Sequence, residues 1–247
     1  MNLRRRIFLA AALASAVPVP GRASAQGAPV DGMRFSALRA GATLPADMKP
    51  WAFGGGRRPT RYSLVADEGV VVLRADAESS ASGIVREVRV DPREHPMIDW
   101  RWKIMGVLKH ADLRTREGDD FAARVYVTFD LDPGTLPAAD RLRLSLARLA
   151  YGDKVPAAAL CYVWDGRSPR DTLAPNAYTD RVRMIVAESG AARSGQWVSV
   201  RRNLREDYRR AFGAEAGTVN GVIVSTDTDN TGESAEAYYG DISFGAR

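Results

Sequence analysis

The sequence predicts an all-β protein of mainly antiparallel strands, a jelly-roll-like β-sandwich with one or two short covering helices. Many short segments of alternating polarity are separated by Gly, Pro, Asn and Asp, which is the pattern of antiparallel sheets. Capped helical patterns are few. About 220 residues follow an N-terminal export signal, a length at which a sandwich is commonly undivided, so residues 26–247 are expected to form one domain.

The export signal comes first. Arg4, Arg5 and Arg6 precede the apolar run Ile7 to Ala14, and Ala23-Ser24-Ala25 matches the small-x-small pattern of a cleavage site after Ala25. Arg5-Arg6-Ile7-Phe8-Leu9 fits the twin-arginine pattern, with an ordinary secretory signal as the alternative, and either route places the mature protein in the periplasm. Removing Arg4, Arg5, Arg6 and Arg22 leaves 31 basic against 30 acidic residues, so a formal charge of +5 becomes +1. The basic character therefore belongs mostly to the signal, and composition gives no argument for a nucleic-acid partner. No later stretch approaches the roughly 20 apolar residues of a membrane span.

Strands are predicted near 33–38, 60–66, 69–76, 83–90, 97–105, 120–130, 157–164, 180–188, 196–202, 219–225 and 236–244. The clearest helix runs from an Asn203 N-cap, with Glu206 three residues on as its capping-box partner, to a stop at Gly213. Leu204, Tyr208 and Phe212 line one face of it, which suits a helix covering a sheet edge or one end of the sandwich. The leucine spacing from Asp140 to Tyr151 fits a second helix or a strand, and its length and alanine content favour the helix. Gly54-Gly55-Gly56 followed by Arg57, Arg58 and Pro59 reads as a mobile loop, because a phosphate cradle needs a helix directly after the glycines.

Cys161 is the sole cysteine, so no intrachain disulfide forms, and its apolar surroundings make it a buried small hydrophobe. With His95 and His110 the only histidines, zinc or copper held by nitrogen and sulfur, and a Ser-His-Asp machine, are both disfavoured.

Two strands have contrasting faces. In Ile98 to Ile104 the isoleucines with Trp100 and Trp102 share one face, read as core, and Asp99, Arg101 and Lys103 the other. From Asp119 to Phe129 the odd positions Phe121, Val125, Val127 and Phe129 are apolar, while Asp120, Arg124, Tyr126 and Thr128 face the other way. Asp119 and Asp120 would point to opposite sides unless the strand begins after them. Arg101, Lys103, Arg124 and Tyr126, joined by Arg181 and Arg183, form either a solvated polar face or a concave surface for an anionic or hydroxyl-rich ligand.

The densest polar cluster, Ser225 to Glu233, follows an apolar strand. Its alternating oxygen-bearing side chains suit calcium, although the twelfth position counted from Asp227 is Tyr238 where an EF-hand needs glutamate. Plain Asx-type turns between strands are the alternative.

Trp100-Arg101-Trp102, Gly118 to Val127, Leu160 to Trp164, Gly195-Gln196-Trp197, Arg202 to Tyr208, Thr226 to Thr231 and Tyr238 to Phe244, taken in order, resemble the bacterial family called Domain of Unknown Function 3047. The resemblance implies an exported single-domain protein with Asp120, Arg124, Asp227, Asp229 and Asn230 as motif positions. Tyr239 to Phe244 is also similar to the final strand of jelly-roll carbohydrate-binding modules, where an equivalent of Asp241 often holds calcium. Asp227, Asp229 and Asp241 are thus the candidate calcium ligands.

The leading functional expectation is a non-catalytic binder of a glycan or envelope polymer. Arg101, Arg124, Tyr126 and Asp120 would line its groove, and the loop of Asp227, Asp229 and Asn230 would close one end or hold calcium. The rival is a polysaccharide-acting hydrolase or lyase with Asp120 and either Asp227 or Asp229 as its carboxylate pair. An envelope module that binds another protein through a sheet edge is the third reading.

Overall fold

The computed structural model describes residues 28–53, 56–130 and 158–246, so the signal, Gly54 and Gly55 of the expected loop, and the Asp140–Tyr151 segment lie outside the described residues. The chain forms an all-β sandwich of two sheets. The strands in chain order are β1 (Val30–Met33), β2 (Met48–Trp51), β3 (Arg61–Asp67), β4 (Val70–Glu78), β5 (Ala81–Val90), β6 (Met97–Ile104), β7 (Arg124–Phe129), β8 (Ala158–Asp165), β9 (Leu173–Pro175), β10 (Val182–Ser189), β11 (Val198–Asn203), β12 (Val219–Asp227) and β13 (Ser234–Gly245). Sheet A is six-stranded in the order β11-β6-β13-β4-β3, with β1 also on β13; sheet B is seven-stranded in the order β2-β5-β12-β7-β8-β10-β9. From β4 to β7 successive strands alternate between the sheets, as in a jelly roll. All pairings are antiparallel except β8 with β10, which run parallel.

Two strands are absent from the sequence-based expectation, β2 and β9. Both contain a proline, Pro50 and Pro175, and both sit at the edges of sheet B. Proline cannot donate to a ladder and is confined to such edges, which weakens the sequence signal there. The strand expected over 33–38 lies earlier, at Val30–Met33, and Phe35–Ala37 is a short 3-10 turn instead.

The core lies between the sheets. Trp100 and Trp102 of β6 point inward and pack against Tyr162 and Trp164 of β8, with ring centroids 5.1 Å and 5.9 Å apart. One end is closed by the helix α1 (Leu204–Phe212), the only α-helix among the described residues. Asn203 caps it by accepting from the Arg205 and Glu206 N–H groups, while the Asn203 amide donates to the Glu206 carboxylate at 2.8 Å. Gly213 ends it in the left-handed region at φ 68°, which favours glycine. Tyr208 meets Phe129 at 4.8 Å and Phe212 at 4.6 Å, so the predicted apolar face is the one that seals the core. No helix among the described residues is long and apolar enough to cross a membrane.

Sheet B is buried on both faces over β7 and β8. Its outer face carries a second apolar cluster of Tyr126, Cys161, Val163, Met184, Val186 and Ile223, covered by Leu113 and Phe121 from the β6–β7 connection. The strand expected over 120–130 begins only at Arg124. Alternation therefore fails before that residue, and Phe121 joins the outer cluster while Ala122 and Ala123 join the core. The expected common face of Arg101, Lys103, Arg124 and Tyr126 does not form, because β6 is in sheet A and β7 in sheet B. Arg183 points toward α1, donating to the Ala211 carbonyl at 3.1 Å.

Candidate functional site

The acidic residues converge where β7 begins and β12 ends. The register pairs Arg124 with Ser225, so the guanidinium reaches the end of β12 and the loop that follows. Its Nε donates to Asp227 Oδ1 at 2.8 Å and its Nη2 lies 2.6 Å from Asp227 Oδ2, a bidentate pair. Nη1 donates to Asp119 Oδ1 at 3.1 Å and to the Tyr126 hydroxyl at 3.3 Å, and Nη2 also donates to the Asp119 carbonyl. Four hydrogen bonds and the close ionic contact with Asp227 engage all three guanidinium nitrogens. The side chain is 1% exposed and lies over the Phe121 ring.

Asp120 is fully buried and holds the neighbouring loop, accepting from the Thr231 N–H at 2.6 Å and the Asn230 amide at 3.3 Å. Asp119 Oδ2 accepts from Asn176 at 2.9 Å, and the Tyr178 hydroxyl donates to Asn230 at 3.1 Å, so the β9–β10 loop is tied into the same knot. Asp229 pairs with Arg57. Glu233 closes the loop by accepting from the Lys109 and His110 N–H groups, both at 3.0 Å.

Of the residues singled out from sequence, Asp120, Arg124, Tyr126, Asp227, Asp229 and Asn230 are together. Arg101 and Asp241 are not: both belong to sheet A, where Asp241 accepts from the Ser36 backbone N–H at 2.8 Å and from its hydroxyl. The expectation that adjacent carboxylates Asp119 and Asp120 point apart assumed a strand at 119–120. The chain there lies outside any strand, and both contribute to one cluster.

Charge in this cluster does not balance. Asp119, Asp120, Asp227 and Asp229 face the two guanidinium groups Arg124 and Arg57. Burial, reinforced by Asp120 and Asp119, outweighs Arg124 and pushes Asp227 up to about 7. Burial also raises Asp120. A divalent cation would answer the same excess. One oxygen from each of Asp120, Asp227 and Asp229 lies within 4.8 Å of the others, which suits ligands on a common ion at the 2.3–2.6 Å typical of calcium. Arg57 would have to give way at Asp229 for that ion to enter. Cys161 is wholly buried in the outer apolar cluster, and burial pushes its thiol up to about 12, which leaves no reactive thiolate.

Next to this knot, the outer face of sheet B is aromatic and partly open. Trp51 of β2 stands opposite Gly83, where a side chain would meet the Val224 carbonyl at 2.7 Å. Trp51 and Phe53 are half-buried against the outer cluster, and Phe53 lies 6.3 Å from the Tyr126 ring. Arg57, Asp229, Asn230 and the exposed Tyr178 form a polar rim at the loop end. Trp51, Phe53, Asn176 and Tyr178 are not among the residues that the sequence singles out. An aromatic pair two residues apart, at the start of a glycine run, is the one signal that marks the first two.

A family model described as protein of unknown function (DUF3047) matches residues 46–243. No curated protein matches the chain. Among solved structures, the chain is similar to the family 30 carbohydrate-binding module of the cellulosomal cellulase Cel9D-Cel44B of Clostridium thermocellum. That likeness is 11% identical with a TM-score of 0.35, over 89% of this chain and 93% of that one. It is also similar to the Spr0440 glycoside hydrolase domain, Endo-D, from Streptococcus pneumoniae R6, at 11% identity and TM-score 0.32, over 80% of this chain and 21% of that one. Likenesses this faint carry no argument about what the chain binds.

Proposed function

The chain belongs to the DUF3047 family of proteins of unknown function, and from its own site we propose that it is an exported, periplasmic, non-catalytic carbohydrate-binding protein. The observation that carries this reading is the half-buried Trp51 and Phe53 on the outer apolar cluster of sheet B, with Phe53 against the Tyr126 ring and the polar loop of Asp229 and Asn230 at the same end of the sheet. Flat aromatic rings take the C–H faces of a sugar and the rim takes its hydroxyls, the mixed lining typical of small-ligand sites.

The saturated acidic cluster argues against the hydrolase or lyase reading. A general acid and base must reach the scissile bond. Asp120 is fully buried with both oxygens bound to residues 230 and 231, and Arg124 is 1% exposed and engaged at all three guanidinium nitrogens. In this reading calcium displaces Arg57 from Asp229 and shares Asp227 with Arg124 and Asp120 with its loop donors, which keeps the 227–233 loop at the end of the platform.

The test is binding of a panel of soluble neutral oligosaccharides, followed by thermal melting and tryptophan fluorescence. A melting rise with at least one member, weakened tenfold or more by Trp51→Ala, is the expected result, tenfold being about 1.4 kcal/mol. Binding unchanged by Trp51→Ala, or no binding to any member, overturns the reading and moves the weight to a protein partner.

A further inference from the structure

The opposite face of the sandwich, the outer side of sheet A, carries a different apparatus. Arg101 of β6 lies with its guanidinium carbon 4.4 Å from the centroid of the Trp197 ring. Its stem crosses Gly240, where a Cβ would come within 2.5 Å of Arg101 Cγ and 2.7 Å of Nε. Gly240 falls in the register shift of β13 between Tyr239 and Ile242, so a bulge and a missing side chain together make the bed in which Arg101 lies. Trp197 is fixed in turn, donating its indole N–H to Asp67 Oδ2 at 2.6 Å.

Among the described residues Arg101 donates no hydrogen bond and closes no ion pair, and its charge is felt at longer range by Asp67, which is bonded to Lys103 and Trp197. Its charged neighbours are committed. Lys103 pairs with Asp67 at 2.5 Å, Arg201 with Asp99 at 3.6 Å and Arg74 with Asp76 at 2.8 Å, and Asp241 accepts from Ser36 at both oxygens. Beside Arg101 runs a cleft of about 490 Å³ lined by Ser199, Arg201, Asp241 and Ser243. That size is within the roughly 300–1,000 Å³ of small-ligand sites.

We propose that this cleft is a second ligand site, and that it takes a sugar acid whose carboxylate is held by Arg101. A guanidinium presents a planar fork that matches a carboxylate with two parallel bonds, and stacking on an indole holds that fork in place before the ligand arrives. The Ser199 and Ser243 hydroxyls, with Asp99 at the cleft wall, offer donors and acceptors to the ring hydroxyls. The site shares no residue with the platform at Trp51 and does not rest on it.

The purified protein is titrated with an oligogalacturonate trimer, its methyl ester and acetate, with calorimetry and tryptophan fluorescence as readouts. The trimer binds, and the neutral ester and acetate each bind at least tenfold more weakly. Arg101→Lys, which keeps the charge and loses the fork, weakens the trimer tenfold or more while the melting temperature stays within about 2 °C. Trp51→Ala leaves trimer binding unchanged, which separates this site from the neutral-sugar platform. Absence of binding to the trimer, equal binding of the ester or of acetate, or undiminished binding by Arg101→Ala overturns the proposal.

Discussion

Two arginines on strands consecutive in the chain, one in each sheet, mark the contrast between the outer faces of the sandwich. Arg124 on sheet B is 1% exposed, bonded at all three guanidinium nitrogens and covered by two loops. Arg101 on sheet A is half-buried, stacked on Trp197 and closes no ion pair among the described residues, although its charge is felt at Asp67. In sequence they look alike, each a cation alternating with large apolar residues. The difference lies in the covering. Sheet B's outer face is overlaid by the β6–β7 connection and the β9–β10 loop, which bring Asp119 and Asn176 to it, whereas nothing comparable bonds to Arg101. A buried arginine surrounded by carboxylates serves as a strut, and a stacked one beside a cleft is free to meet a ligand.

The contrast is broken most severely at the strut. Arg124→Ala leaves Asp119 and Asp227 buried without their cation, and removal of one partner of a buried pair costs about 3–5 kcal/mol. Arg101→Ala removes only an exposed-side stacking contact and is expected to cost under about 1 kcal/mol. Urea unfolding of the two variants measures both, and similar losses would erase the distinction.

Proton and cation linkage sharpen it next. In the unfolded chain Asp227 titrates near its ordinary value of 3.8 and in the folded protein near 7, so between those values the folded state keeps a proton that the unfolded state has lost. Its contribution to stability is full below about pH 4 and is lost as the pH rises through 7. Unfolding without added metal should therefore show Asp227→Asn removing part of a decline in stability between about pH 4 and pH 7. Calcium needs the carboxylate, so the rise in melting temperature with calcium, reversed by EDTA, is expected to be larger near pH 8 than near pH 5.5. A calcium effect that is absent, or is greater at the lower pH, excludes Asp227 as a ligand.

The smallest effect expected lies away from both faces. Asn203→Ala removes the cap of α1 and costs about 1 kcal/mol by chemical denaturation, with sugar binding unchanged at either face. Loss of binding in that variant would mean that the helix end, and not the sheet faces, governs the sites.

Local physics accounts for what could be read from residues in order. The caps of α1 are legible because Asn203, Glu206 and Gly213 act on backbone groups a few residues away. The inward faces of β6 and β8 are legible because alternation has a period of two wherever a strand is continuous. The same rule misplaced Phe121, since alternation has no meaning before the strand begins at Arg124. Prolines hid β2 and β9, where a ladder bond is missing at the sheet's edge.

From residue order alone come the all-β class, the helix caps, the buried tryptophans and a polar loop at Asp227 to Asn230 with Asp120 and Arg124 as its companions in a family motif. Which sheet each strand joins is a matter of pairing between distant segments, and that pairing set Arg101 and Asp241 apart from Arg124 and Asp227. Loop packing then buried one arginine and left the other stacked beside a cleft. Neither outcome is encoded in spacing, because a side chain's partners depend on which surfaces are brought against it once the chain has closed.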